Sequence, residues 1–405
     1  MPRPSFSLTA SAAALLIAGA CTAPTRVENI EPVETGDGYQ AQYRAFAGPA
    51  GDPPVLRSAA MNAAKCRPYE GGGSGGKLGV SVPAALGGET LSRGDLLDLR
   101  LPDDVTFTGE YVVSRDGTLK VPFLQPIRAE GRTPDAVAAD LRAALLSGAF
   151  YDQRPELSLL ITDLAPVRVA VSGAVFEPQA VEIGNVSGAD RDARRQLALG
   201  ASTEGRNLSV ALRSAGGIRP DADLSAIQLI RGGAIYTLDL RGVVEGRAVP
   251  DVILASGDEL VVPSRQCFQD DLMRPSPISP PGVALYLSNL TQPATGNAPS
   301  AIGQEVREVP YGTRYLQAVV DANCVGGARA TSAARSAALF SRNPVTDVSV
   351  VIERPIEKMR MRADRDDYDP YLLPGDAIAC YDSSVTNVAE AARVLGIVGA
   401  VALIR

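Results

Sequence analysis

The chain has 405 residues, 45% of them hydrophobic and 21% charged, and these proportions exclude an intrinsically disordered protein. Its formal net charge of −7 argues against nucleic acid as a partner, because phosphate binding needs a basic surface. The sequence has no histidine, which removes the usual general base, the Ser-His-Asp triad and most zinc sites. We therefore expect no enzyme, no cofactor and no metal site.

Residues 1–20 read as an export signal. A short basic start at Arg3 is followed by an apolar run that is too short to span a bilayer. The sequence Ala18-Gly19-Ala20-Cys21 fits a bacterial lipoprotein box, in which Cys21 receives the lipid, and it also fits a plain A-x-A cleavage site. Both cleavage modes stay open, with lipidation at Cys21 as the working hypothesis.

Residues 21–86 are rich in Gly, Pro, Ala and Ser, with GGGSGG at 71–76, and this composition predicts a flexible tether. Order is expected from Leu91. Gly94-Asp95 predicts a turn that leads into a strand, and Asp116-Gly117 between two apolar runs predicts a hairpin.

A helix is predicted after residue 132. Thr133 suits its N-cap and Pro134 its first position. The apolar stripe has spacing four, at Val137, Leu141 and Leu145. Strands over 156–162 and 167–172 are expected to follow.

The next section contains a repeat. A helix over 208–215 precedes strands at 226–230 and 234–240, and the repeat closes with a strand after Gly257-Asp258. The second copy has a helix over 315–323, strands at 348–352 and 358–362, and a closing strand after Gly375-Asp376. The Gly-Asp pairs predict structural turns, with Gly taking the turn conformation and Asp bonding nearby backbone. Pro275 to Pro281 predicts a stiff linker between the copies.

Residues 385–405 predict a membrane-spanning helix. As one helix they would be about 31 Å long, close to the thickness of the hydrocarbon core. Asn387, Glu390 and Arg393 share a polar face and are candidate pore-lining residues. Four small residues on one side are candidates for helix packing, at Ala389, Ala392, Gly396 and Gly399. The alternative is a buried core helix of the last domain.

Four further cysteines are candidates for structural disulfides, and their pairing stays open: Cys66, Cys267, Cys324 and Cys380.

The order of RGDLLDLRL, SRDGTLKVPF, TPDAVAADLRAAL, RPELSLLIT and VRVAVSGAV resembles the outer-membrane polysaccharide export lipoprotein family. The resemblance implies an α+β chain: a polysaccharide-export domain, two β-grasp domains of the soluble-ligand-binding type (SLBB) and a C-terminal amphipathic helix. Three features depart from the family. Pro178-Gln179 stands where Pro-Gly is usual, and residues 184–206 form a polar insertion expected to be a surface loop. A lumen-lining helix should carry a polar stripe along its whole length, whereas the polar face of 385–405 ends at Arg393.

In chain order, the resemblance implies these boundaries: signal peptide 1–20, tether 21–86, polysaccharide-export domain 87–165, first SLBB domain 166–265, linker 266–304, second SLBB domain 305–384 and membrane helix 385–405.

The resemblance also implies a function. Family members form rings, commonly octamers, that export capsular or extracellular polysaccharide through the outer membrane, and they contact an inner-membrane chain-length or tyrosine-autokinase protein. A monomeric periplasmic lipoprotein that binds a soluble glycan is the alternative. A carboxylate-based glycan-cleaving enzyme has the least support.

Overall fold

The computed structural model describes residues 66–71, 82–184, 204–247, 251–289, 307–322, 336–361 and 368–381, with positions 40 and 249. One compact unit spans Cys66–Pro281, and a second contains the described residues from Gly282 onward. Mixed strands and short helices make both units α+β.

The first domain, residues 91–165, packs one helix on a small antiparallel sheet. Strands β1 (Leu96–Arg100), β2 (Gly109–Val112) and β5 (Ser158–Asp163) pair in the order β2-β1-β5. Strands β3 (Thr118–Leu119) and β4 (Ile127–Arg128) form a separate hairpin. The sheet's buried residues, Leu97 and Leu99 among them, form one core with the helix.

Helix α1 (Pro134–Ser147) forms where the sequence predicted a helix after residue 132. Thr133 is its N-cap, and the Thr133 hydroxyl accepts from the Ala136 backbone N–H at 3.3 Å. Val137, Leu141 and Leu145 are buried, because spacing four keeps them on one face of the helix.

A five-stranded sheet follows in the same unit. Its strands are β6 (Val167–Gly173), β7 (Gln179–Ile183), β8 (Ile227–Arg231), β9 (Ala234–Leu238) and β10 (Glu259–Val262). They are arranged in the order β7-β6-β10-β8-β9, with β6 and β10 parallel and all other pairs antiparallel. Helices α2 (Leu208–Ser214) and α3 (Gly242–Glu245) accompany it.

The second unit repeats this topology. Its strands are β11 (Val283–Asn289), β12 (Arg307–Val309), β13 (Ser336–Arg342), β14 (Ser349–Pro355) and β15 (Ala377–Tyr381). They are arranged in the order β12-β11-β15-β13-β14, and again one pair, β11 and β15, is parallel while the others are antiparallel. Its helices are α4 (Tyr315–Asp321) and α5 (Ile356–Met361).

The structure departs from the expected linker and from one expected strand. Residues 283–289 form β11, an inner strand of the second sheet, inside the segment expected to be a linker over 266–304. Residues 356–361 form helix α5 where a strand over 358–362 was expected. Ile356 and Met359 are both buried, and their spacing of three suits a helix.

The described residues of the expected tether are fixed to the body at several places. The Gln40 side chain donates to the Tyr371 backbone carbonyl at 2.7 Å and accepts from its N–H at 2.8 Å. Cys66 forms a disulfide with Cys267, and the Glu70 and Gly71 backbone N–H groups donate to Asp223 and Ser225 at 2.8 and 3.0 Å. Leu86 is buried in the core of the first five-stranded sheet. Residues 66–71 and 82–86 therefore belong to the folded body.

Among the described residues, no helix has the length and apolar character needed to cross a bilayer. The segment predicted to span, 385–405, lies outside them, and so do its candidate pore-lining and packing residues.

Candidate functional site

Three Gly-Asp turns precede inner strands of the three sheets. Gly94, Gly257 and Gly375 have φ values of 89°, 88° and 88°, a conformation that L side chains rarely adopt. In each turn the aspartate accepts a hydrogen bond from the backbone N–H three residues earlier, at 2.7 Å for Asp95, 2.8 Å for Asp258 and 2.9 Å for Asp376. These side chains serve the backbone and are buried.

Two of the turn aspartates are also paired with arginine. Asp258 accepts from Arg231 through both carboxylate oxygens, and the closest approach, from Nη2, is 2.6 Å. Asp95 is bound by Arg206, which also donates through Nε to the Ala165 carbonyl at 2.8 Å. Arg206 is 1% exposed, which corrects the expectation that segment 184–206 is a surface loop throughout. A buried carboxylate is well tolerated when a guanidinium completes its hydrogen bonds.

Asp116 and Gly117 form an exposed turn. Gly117 has φ 76°, and Asp116 accepts from the Thr118 backbone and hydroxyl and from Lys120. The bond from Lys120, followed by those from Thr118, lowers the pKa of Asp116 to about 2. The geometry is that of a turn.

An aromatic patch lies where three loops of the first domain meet. Phe107 is buried beneath two exposed rings, with ring centroids 5.2 Å from Phe150 and 6.5 Å from Phe123. Phe123 is 77% exposed and Phe150 is 43% exposed. The loop of Phe107 also presents Val105, at 94% exposure. We call Val105, Phe107, Phe123 and Phe150, with Tyr151 beside them, the aromatic patch.

Backbone strain is concentrated around the aromatic patch. Asp103, Phe123 and Ala149 have φ values of 58°, 64° and 56°, and each belongs to a different one of the three loops. For a bulky residue such as phenylalanine a positive φ is a rare and costly conformation. Gly148 makes room for Phe150, since a Cβ at Gly148 would come within 2.6 Å of that ring.

Asp104 holds two of the loops together. Its Oδ1 accepts from the backbone N–H groups of Thr106 and Phe107 at 2.7 and 3.1 Å, and its Oδ2 accepts from the Tyr151 hydroxyl. The bond from Tyr151 is the main cause that lowers the pKa of Asp104. Burial, followed by the bond to Asp104, raises the pKa of Tyr151 to about 12. Asp104 is thus anionic and Tyr151 neutral throughout the physiological range.

A small cavity lies beside the first five-stranded sheet. It is a cavity of about 180 Å³ with apolar walls that include Leu208, Leu240 and Ile278. Arg247 and Asp251 also line this cavity, and the Asp251 carboxylate accepts a hydrogen bond from the Ser209 backbone N–H at 3.0 Å. The cavity is small and its carboxylate is already engaged.

Of the candidate disulfide cysteines, the structure joins Cys66 to Cys267 across 201 residues of sequence. Cys380 is disulfide-bonded as well. Cys324 and the candidate lipidation site Cys21 lie outside the described residues.

Sequence reasoning missed two features, the aromatic patch and Arg206. The segment V-P-F-L at 121–124 carries no sign that Phe123 is exposed, because exposure follows from its backbone conformation. Arg206 has no local signal either, since its partner Asp95 is 111 residues away.

Comparison with known proteins gives two results. Residues 87–162 match the family model described as "Polysaccharide biosynthesis/export protein". The chain is similar to the "EPS I polysaccharide export outer membrane protein EpsA" of Ralstonia nicotianae, with 27% identity over 270 residues, covering 64% of this chain and 63% of the relative. It is also similar to the protein of the same name from Ralstonia solanacearum, with 26% identity over 217 residues, covering 52% of each. The chain thus spans less than two thirds of these relatives. The aromatic patch lies entirely inside the matched segment.

Proposed function

Because the chain belongs to the outer-membrane polysaccharide export family, we propose that it is a subunit of an oligomeric channel that exports capsular or extracellular polysaccharide. The role is transport and not catalysis. The observation that carries the proposal is the agreement between the matched segment, 87–162, and a helix-on-sheet domain with its own hydrophobic core over nearly the same residues. The two curated relatives are named for polysaccharide export and for the outer membrane.

The physical reason for an oligomer is the nature of the cargo. A hydrated polymer cannot cross hydrocarbon, so its path has to be enclosed by protein. A single helix satisfies its own backbone hydrogen bonds in lipid but encloses nothing, so several copies are needed. In this proposal residues 385–405 of all copies together line the exit, with Asn387, Glu390 and Arg393 toward the lumen.

The body would stand in the periplasm, held to the outer membrane by the lipid on Cys21. An acylated cysteine contributes roughly 0.8 kcal/mol per buried CH₂, so several chains hold a protein firmly. The family resemblance adds an inner-membrane chain-length or tyrosine-autokinase protein as partner of the periplasmic end.

The test is deletion of the gene in the source organism, complemented by the full chain or by a chain lacking residues 385–405. We expect deletion to abolish extracellular polysaccharide, the full chain to restore it, and the truncated chain to fold without restoring it. The mass of the detergent-purified protein should be a multiple of the mass of the mature chain that remains after removal of residues 1–20.

Two outcomes would contradict the proposal. A strict monomer in every detergent would exclude a channel made of several copies. Loss of folding on truncation would mean that the terminal segment is part of a domain core, which favours the monomeric glycan-binding lipoprotein.

A further inference from the structure

We propose that the aromatic patch of the first domain binds a short segment of the exported polysaccharide, and that it favours uncharged sugars over acidic ones. This inference rests on the proposed function, since that function supplies the polymer. It adds a location, a binding chemistry and a preference among glycans.

The first step is the position of Phe123. Its ring is 77% exposed, so it contributes little to the core, and its φ of 64° is costly for a bulky side chain. Asp103 and Ala149, in the two neighbouring loops, share this unfavourable conformation. Strain of this kind persists where surrounding structure enforces it, and it is concentrated at functional sites. Here it holds an aromatic ring in solvent.

The second step is chemical complementarity. A pyranose has a face of C–H groups and a rim of hydroxyls. Phe123 and Phe150 supply ring faces on which such C–H groups can pack, and the exposed Asp103 carboxylate lies in the adjoining loop to accept from hydroxyls. Apolar surface with a few fixed polar groups is the usual composition of a small-ligand site.

The third step is charge. Loops 101–108, 121–126 and 148–153 contain Asp103, Asp104 and Asp152 and no lysine or arginine. Three basic residues flank the loops: Arg100 and Lys120, which are paired with Asp98 and Asp116, and Arg154. The three loop carboxylates outnumber Arg154, so the local charge is acidic and disfavours a polymer of uronic or otherwise acidic sugars. The patch therefore suits a neutral segment.

The fourth step is area. An aromatic side chain can bury about 150–250 Å², so the exposed parts of Phe123, Phe150 and Val105 present roughly 400 Å² in total. A stable protein–protein interface needs about 800 Å² from each partner. The aromatic patch is half that size, which disfavours a second copy of the chain as its occupant and suits a few sugar residues.

The experiment uses the fact that the chain contains no tryptophan. In full-length protein the variant Phe123→Trp keeps an aromatic face and adds a single fluorescent reporter at the patch. The matched control is Ile235→Trp, at a residue of β9 that is 63% exposed on another domain. The probe is a size-fractionated oligosaccharide prepared from the extracellular polysaccharide of the source organism. We expect the emission of F123W to shift saturably on titration and that of I235W to stay constant.

A second variant separates binding from folding. Phe123→Gly removes the ring and relieves the positive φ, so the protein keeps its fold. We expect its affinity for the oligosaccharide, measured by calorimetry against wild type, to fall at least about tenfold, which is the effect of losing about 1.4 kcal/mol. Affinity in wild type should change little between low and high salt, as for an uncharged ligand.

Three outcomes would overturn the inference. They are an unresponsive F123W, full binding by F123G, or a change of oligomeric mass in F123G, which would make the patch a contact between copies. Each leaves the proposed function standing if gene deletion still abolishes export. If deletion leaves export intact, the proposed function itself fails.

Discussion

Ser341 occupies in the second five-stranded sheet the position that Arg231 occupies in the first. Ile230 lies opposite Glu259, the residue after Asp258, and Phe340 lies opposite Ala377, the residue after Asp376. Arg231 and Ser341 are the next residues along their strands. Asp258 consequently has a guanidinium partner, whereas a serine hydroxyl bonds Asp376. Burial raises the pKa of Asp376 to about 7.

The second unit should therefore lose stability as pH rises from about 4 to about 7. In the unfolded chain Asp376 ionises near 3.8, while the folded chain retains the proton up to about 7. Stability from this group is complete below 3.8 and lost as pH rises through 7, a difference on the order of 4 kcal/mol. Asp376→Asn should raise the melting temperature at pH 8 and have little effect at pH 4. An equal effect at both pH values would contradict the assignment.

Replacing Ser341 by arginine should reproduce the arrangement of the first sheet. In the variant Ser341→Arg the guanidinium can pair with Asp376 as Arg231 does with Asp258, and the stability at pH 8 should rise by about 1–3 kcal/mol. Urea unfolding at pH 8 measures this. The matched control is Ser341→Lys, whose point charge lacks the planar fork and should gain less.

Asp95→Asn should destabilise the Cys66–Pro281 unit strongly. It leaves the Arg206 guanidinium buried without a counter-charge, and removing one partner of a buried pair costs about 3–5 kcal/mol. Chemical denaturation of the variant and of wild type measures this difference in the free energy of unfolding. The exposed pair of Arg342 and Asp347 provides a comparison, because Asp347→Asn should cost less than about 1 kcal/mol.

Phe123→Gly should leave the first domain as stable as wild type or more stable by up to about 1 kcal/mol. Relief of the positive φ gains roughly 1–2 kcal/mol, and this is partly offset by lost ring contacts and by the chain entropy of glycine. Phe107→Ala, which truncates the buried ring of the same cluster, should cost about 3–5 kcal/mol. Melting curves of the two variants should move in opposite directions, and a large loss in F123G would show that the exposed ring is structural.

Cys66→Ser should release residues 66–71 from the body. The disulfide to Cys267 closes a loop of 201 residues, and a cross-link over so long a loop contributes about 2–4 kcal/mol by restricting the unfolded chain. Limited proteolysis should then cut near Arg67. In wild type we expect this site to resist cleavage, because the disulfide and the bond from the Arg67 backbone N–H to the Arg265 carbonyl at 2.9 Å hold it. Protection that survived in the variant would assign the anchoring to those hydrogen bonds alone.

Local signals explain which parts of the fold could be predicted. Helix α1 could be placed because Thr133, Pro134 and the stripe from Val137 to Leu145 are all within one stretch of sequence. Strand β11 could not be, because its parallel partner β15 is about ninety residues away and prolines on its N-terminal side favour a linker. Helix α5 alternates charged and apolar residues at 358–361, which is also the pattern of a half-buried strand. The burial of Ile356 and Met359, three residues apart, is what fits a helix instead.

The same distinction applies to the candidate site. A Gly-Asp pair is a local signal for a turn. Nothing local distinguishes Asp258, which is paired with Arg231, from Asp376, which has no arginine partner among the described residues. Only the pairing of strands far apart in sequence reveals it. The exposure of Phe123 likewise depends on one backbone angle that its neighbours in sequence do not dictate.

The covalent bond between Cys66 and Cys267 also decides where mechanical load enters the protein. If the body hangs from an acyl group at Cys21, a pull transmitted along residues 22–65 enters the Cys66–Pro281 unit at Cys66. The force is then transmitted through the disulfide to Cys267, so it bypasses residues 72–86 and the entire first domain. Whatever moves during passage of the polymer, the helix-on-sheet domain at 91–165 is spared tension from the membrane side.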